Sequence, residues 1–167
     1  MVYLHTEIEI AAPPEKVRAV LLDFPQTSTW LSGPGITSIS IKPHPTDPSL
    51  TKSDPYTLAP GDILINELNK STKFEPVILV NTPDELKWRG SIPYIFTGEH
   101  SFQFRKSEVN EGGTTFVNEE NFSGALGWLM SSWAMGGQTR GSFEGLCRDL
   151  KGRVESLEKE EGERAKL

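Results

Sequence analysis

Three polar residues at alternating positions in two neighbouring apolar runs are where this sequence can do chemistry. They are His100 in Phe96–Lys106, and Asn118 and Glu120 in Thr114–Phe122. Successive side chains of a strand point to opposite faces. The even positions of the first run carry His100, Phe102 and Phe104, and those of the second carry Phe116, Asn118, Glu120 and Phe122. The phenylalanines mark the even face as the inward one, so the three polar groups point inward among aromatic rings. A hairpin folded near Asn110 so that Phe104 faces Phe116 sets His100 opposite Glu120, their Cβ atoms about 4.5–5.5 Å apart. An imidazole and a carboxylate meet at that separation, and a buried carboxylate costs several kcal/mol unless it is paired.

Two readings of the pair stand. In one, His100 and Glu120 satisfy each other as a structural pair inside the domain. In the other they line a cavity as a general acid/base pair, the carboxylate tuning the imidazole toward neutral pH. A closed core seldom keeps three polar side chains together. Trp88 shares a face with Leu86 in the preceding run, and Trp30 and Tyr94 fall where the rim of a cavity would lie. Aromatic walls with a few polar groups describe a small-molecule pocket.

Other chemistries find little support. His5, His44 and His100 sit in unrelated contexts without metal-ligand spacing, and there is no Walker loop or dinucleotide fingerprint. No serine has a nucleophile-elbow context. The one cysteine, Cys147, falls on an apolar helical stripe and reads as a small buried hydrophobe. Neither a metal nor a nucleotide cofactor is called for. A net charge of −6 with scattered basic residues argues against nucleic acid. With no secretory h-region or transmembrane run, a cytoplasmic protein without membrane insertion is expected, as monomer or homodimer.

The elements that must position these residues follow from periodicity. Val2–Ile10 alternates as a half-buried strand. Pro13-Pro14 opens a helix whose Val17, Val20, Leu21 and Phe24 share one face before Pro25, and a short helix or turn carries Trp30 and Leu31. Strands are predicted over Ile36–Ile41, Asp62–Leu68, Lys73–Asn81, Glu85–Ser91, Phe96–Lys106 and Thr114–Phe122, with turn chemistry between the later ones. Five prolines between Pro43 and Pro60 keep that stretch out of any sheet, leaving a disordered insertion or a loop bordering a site. From Ala125 to Leu157 a long helical pattern is interrupted at Gly136-Gly137, and Phe143, Leu146, Cys147, Leu150, Val154 and Leu157 form one stripe. Residues 1–158 read as one ligand-binding domain, with 43–60 as an insertion and 159–167 as a charged, disordered tail.

This order resembles the START-like superfamily (SRPBCC), and within it the polyketide cyclase/dehydrase branch, over roughly Thr6 to Leu157. The residues that carry the resemblance are Ala12-Pro13-Pro14-Glu15-Lys16-Val17, Trp30, Glu85-Leu86-Lys87-Trp88-Arg89-Gly90 and Gly98-Glu99-His100-Ser101-Phe102. They continue with Glu120-Asn121-Phe122-Ser123-Gly124 and with Phe143-Glu144 and Leu150-Lys151. The resemblance implies an α+β helix-grip fold: a curved antiparallel seven-stranded sheet wrapped around the C-terminal helix, with one or two short helices after the first strand. It implies a cavity for a hydrophobic, polyketide-like or aromatic molecule, with relatives that are cyclases, aromatases or dehydratases and others that only carry ligands. It supplies no shared catalytic set, and fold alone does not give mechanism. The expected function is to bind such a molecule and promote its cyclisation or dehydration. His100 would be acid/base and Glu120 its orienting partner, with Asn118 on a substrate oxygen. Trp88, Phe102, Phe122, Trp30 and Tyr94 would shape the substrate. The alternative is a non-catalytic carrier with the same cavity.

Overall fold

The computed structural model of the chain describes residues 2–33, 35–68, 72–92, 96–124 and 137–166. The alternating first run forms β1 (Val2–Ile10), with Leu4 and Ile10 buried. Pro13 caps α1 (Pro14–Leu22), which buries Val17, Leu21 and Leu22. A 3-10 turn through Pro25 separates it from α2 (Thr27–Trp30). There follow β2 (Ile36–Ile41), β3 (Leu64–Leu68), β4 (Thr72–Phe74), β5 (Val77–Asn81), β6 (Glu85–Ile92), β7 (Phe96–Lys106), β8 (Thr114–Ser123) and α3 (Gly137–Arg164). The order is the expected α+β one: antiparallel strands, then a C-terminal helix laid against them.

The sheet departs from expectation. In place of one seven-stranded sheet there is a five-stranded sheet, β1-β8-β7-β6-β5, and a three-stranded one, β2-β3-β4. The cause is Pro76, inside what periodicity reads as a single strand from Lys73 to Asn81. Proline has no N–H for the ladder, and the strand divides at Glu75-Pro76 into β4 and β5. The two sheets stay joined by an isolated bridge between Ile63 and Val77, flanked by Leu64 N donating to Pro76 O (2.9 Å) and Ile78 N to Asp62 O (2.8 Å).

The helical stripe is the expected one. Phe143, Leu146, Cys147, Leu150 and Val154 of α3 are buried, facing mainly β1 and α1. Burying each larger side chain of this kind stabilises the fold by roughly 2 kcal/mol. Of the break expected at Gly136-Gly137, Gly136 lies outside the described residues and α3 begins at Gly137. At its other end α3 runs on to Arg164, through residues expected to be a disordered tail. Glu and Lys are good helix formers, and Lys16 of α1 holds both Glu158 (2.5 Å) and Glu161 (2.6 Å). No described helix is long and apolar enough to cross a membrane.

The proline-rich stretch is built rather than loose. Asp47 and Asp54 each accept a backbone N–H two residues on, at 2.9 Å, starting short 3-10 turns at Pro48 and Pro55. Its end plugs into the interior, where Leu58 is 4% exposed and belongs to the main core. Asn81 of β5 pins it, donating to Pro55 O and Leu58 O (3.0 Å each) while its own oxygen accepts from Arg18 (2.7 Å), whose guanidinium lies over the Tyr56 ring. Asn81→Ala leaves two carbonyls and the buried Arg18 guanidinium without that partner, a loss of about 1–3 kcal/mol. The expected fall in Tm is roughly 2–12 °C for a chain of this size, with new protease cleavage between residues 43 and 60. Calorimetry and limited proteolysis check this, and an unchanged Tm would show that the segment holds itself.

Candidate functional site

The β7–β8 hairpin closes over Ser107–Gly113, where Gly113 N donates to Asn110 O and Ser107 N to Gly113 O. Gly112 takes a left-handed φ of 73° that favours glycine. This turn sets Phe104 opposite Phe116 and His100 opposite Glu120, the register expected from the phenylalanine pattern. On the other side β6 sets Trp88 opposite His100 and Leu86 opposite Phe102. One row of side chains therefore crosses the inner face: Trp88, His100, Glu120 and then Leu4 of β1.

His100 is 6% exposed and held on every side. Its Nε2 meets Asn118 Oδ1 at 2.6 Å, and its Nδ1 lies 3.4 Å from Glu120 Oε2. The Phe102 ring stands 4.3 Å and the Phe143 ring 4.8 Å from the imidazole, centroid to centroid, with Trp88 at 5.4 Å. Asn118 is fully buried and its Nδ2 donates to Phe143 O (3.4 Å), which fixes the amide so that its oxygen accepts from Nε2–H. Nδ1 is then the nitrogen left toward the carboxylate. The Glu120 side chain is 16% exposed against 8% for His100, so the carboxylate is the more open member of the pair.

Of the residues singled out from sequence, the structure brings together His100, Asn118, Glu120, Trp88 and Phe102. Phe122 stands beside them in a small cluster with Leu4 and Phe143. Trp30 is elsewhere, on α2, packed against the main core, its Nε1 buried and unpartnered among the described residues. Tyr94 lies outside the described residues. Two further members are not singled out as site residues from the sequence. Phe143 reads there as part of the helical stripe and of the family resemblance, yet it stacks on His100. Gly98, opposite Phe122, is what gives Glu120 its place: a Cβ there would lie 2.4 Å from Glu120 Oε1. Cys147 is buried as expected. Burial pushes its thiol pKa up, and it meets Thr6 Oγ1 at 3.5 Å.

A second histidine–carboxylate pair occupies the outer face. Glu119 accepts from Tyr3 OH (2.6 Å) and from Gln103 Nε2 (3.1 Å) and lies 2.9 Å from His5 Nδ1. Adjacent residues of a strand face opposite ways, so Glu119 and Glu120 serve the two faces of one sheet. Tyr3 is exposed, and with no aromatic wall around it among the described residues the outer pair reads as a surface network. Among the described residues, a separate hollow beside Ile41, His44, Leu50 and Asp62 holds about 70 Å³. That is room for two or so waters, and it shares no residue with the His100 cluster.

Residues 1–155 match the sequence model of a family described as polyketide cyclase / dehydrase and lipid transport. Among solved structures, a START superfamily protein from Mycobacterium smegmatis is similar at 17% identity and TM-score 0.63, covering 93% of this chain and 98% of its own. A hypothetical protein from Helicobacter pylori is similar at 13% identity and TM-score 0.69, covering 92% and 88%. The di-domain ARO/CYC BexL from the BE-7585A biosynthetic pathway is similar at 14% identity and TM-score 0.58, covering 93% of this chain and 49% of its own. At these identities the likeness is one of fold. No curated protein matches the chain.

The two faces of the sheet can be tested separately. In Gly98→Ala the new methyl displaces the flexible end of Glu120 and presses on Phe122, 3.3 Å away. The variant is expected to fold with the Glu120 carboxylate moved off His100, seen as a changed His100 Nδ1 resonance in ¹⁵N NMR. An unchanged resonance would show that the carboxylate is not held there. On the outer face burial pushes Glu119 up, but the hydrogen bonds from Tyr3 and His5 outweigh it and hold the carboxyl below its usual 4.5. A depressed folded-state value means stability present above the ordinary carboxylate range and lost as pH falls through the lowered one. Glu119→Gln is expected to flatten the acid limb of Tm against pH, and an acid limb as steep as that of the parent protein would refute the assignment.

Proposed function

Since the chain belongs to the polyketide cyclase / dehydrase and lipid transport family, we propose that it binds a hydrophobic, aromatic or polyketide-like molecule between the inner face of the sheet and α3. The observation that carries this reading is the row of polar groups on an aromatic wall. His100, Asn118 and Glu120 sit inside, among Trp88, Phe102 and Phe143, where a purely structural interior would place apolar side chains. The wall holds the apolar body of the ligand, and Glu120, the open end of the row, meets its polar atoms.

A catalytic use of the same site is the second reading, favoured by the loose 3.4 Å contact between Nδ1 and Glu120. With Nε2 taken by Asn118 and both ring faces covered, His100 exchanges a proton only on its Nδ1 side. Asn118 would then position the imidazole rather than touch a substrate oxygen, the role the sequence suggests for it. In dehydration of a β-hydroxy carbonyl compound the basic member of the pair removes the α-proton. The protonated member delivers a proton to the departing hydroxyl, and water leaves. An ARO/CYC protein among the similar folds makes cyclisation chemistry a sensible test.

The experiment is native mass spectrometry of protein isolated from its own host, followed by identification of any extracted small molecule. A defined apolar ligand is expected; a clean apo mass together with no binding of neutral apolar dyes would overturn the binding reading. With the ligand in hand, Glu120→Gln preserves size and separates the two uses. A carrier releases its ligand unchanged and Glu120→Gln shifts Kd by less than about tenfold, the worth of one modest hydrogen bond. A catalyst releases a changed molecule and loses turnover about 100-fold or more when the acid/base group is gone.

A further inference from the structure

Asn66 is fully buried, and neither its amide nitrogen nor its amide oxygen has a hydrogen-bond partner among the described residues. It lies on β3 two residues from Leu64, a member of the main core, and so faces the interior. Across the ladders it stands opposite Ile39 of β2 and Phe74 of β4. Buried amides are nearly always paired, and one with both ends open requires an explanation. Two more such groups lie on α2, which packs on β2, the neighbour of β3: Thr27 Oγ1 and Trp30 Nε1 are likewise buried without partners among the described residues.

Between this corner and the His100 row, side chains close over two glycines of the sheet. The Phe74 ring lies over Gly90, 3.5 Å from where a Cβ would stand. Gly90 is paired with Gly98, and beyond Gly98 come Glu120 and Phe122. The missing side chains of these facing glycines make room for the Phe74 ring at Gly90 and for Glu120 and Phe122 at Gly98.

We infer that Asn66 is a polar anchor for the ligand, taking the hydroxyl or carbonyl oxygen of a neutral molecule. This rests on the binding reading above. The neutrality follows from the groups present. An amide, an indole N–H and a hydroxyl donate and accept without balancing a charge, so an anionic group would be buried there uncompensated.

The test uses three probes of one skeleton, anthracene, 2-hydroxyanthracene and anthracene-2-carboxylate, titrated by fluorescence into the full chain and into Asn66→Leu and Trp30→Phe. The expected result for the parent protein is tighter binding of the hydroxyl compound than of anthracene by about tenfold, the worth of one hydrogen bond, with the carboxylate weakest. Asn66→Leu should erase the hydroxyl preference, leave anthracene binding unchanged, and raise the Tm of the unliganded protein because two unpaired groups are gone. Trp30→Phe should reduce the preference while folding normally. If the hydroxyl preference survives Asn66→Leu, or if that variant melts lower than its parent, the amide is satisfied within the protein and this inference falls alone. If none of the three probes binds the parent protein, the binding reading falls and takes this inference with it.

Discussion

The register between β7 and β8 is the constraint on which the interior depends. Because strand side chains alternate, a slip of one residue would send His100, Phe102 and Phe104 to the solvent and bring Glu99, Ser101 and Gln103 inside. Two features hold the register. The Ser107–Gly113 turn sets the hairpin length, and the Phe104–Phe116 pair, ring centroids 5.8 Å apart, locks the first inward rung. Everything above that rung follows, from Phe102 opposite Asn118 to Gly98 opposite Phe122. The polar row is thus placed by hydrophobic contacts several residues away.

Placing polar groups inside carries a penalty that the neighbourhood offsets in two ways. His100 and Asn118 are satisfied locally, through a 2.6 Å hydrogen bond and a backbone carbonyl of α3. Glu120 keeps partial exposure, and Gly98 opens the space it occupies. Among the described residues Asn66 has neither form of compensation. The interior therefore grades from a satisfied cluster to an unsatisfied corner. The outer face, with Glu119, His5 and Tyr3 sharing hydrogen bonds at the surface, shows what the same residue types do when water is at hand.

Much of this is legible in the amino-acid order, and the reasons differ by element. β7 and β8 are readable, bounds and register together, because phenylalanines mark one face without ambiguity. The buried stripe of α3 is readable because it repeats at three and four residues. Pro76 is visible too, but the apolar run around it outweighs one missing N–H, and the division into two sheets goes unseen. The proline-rich stretch looks disordered because its order comes from long-range partners: Asn81, Arg18 and the core around Leu58. Phe143 on His100, Glu120 over Gly98 and the setting of Asn66 are relations between distant elements. Local periodicity carries no trace of them.

The seat of Leu58 bears on how this chain can vary. Surface connections usually change length freely, because their residues answer only to solvent. Here the segment between β2 and β3 ends in a side chain shared with Leu64 and Ile78 in one cluster, so it works as a stopper in the wall of the interior. Trimming it to an ordinary hairpin would uncork the core, and its length could drift only as far as a residue still reaches that seat. Related chains with shorter connections at this point would need bulkier side chains from the strands themselves, so loop length and interior volume would change together.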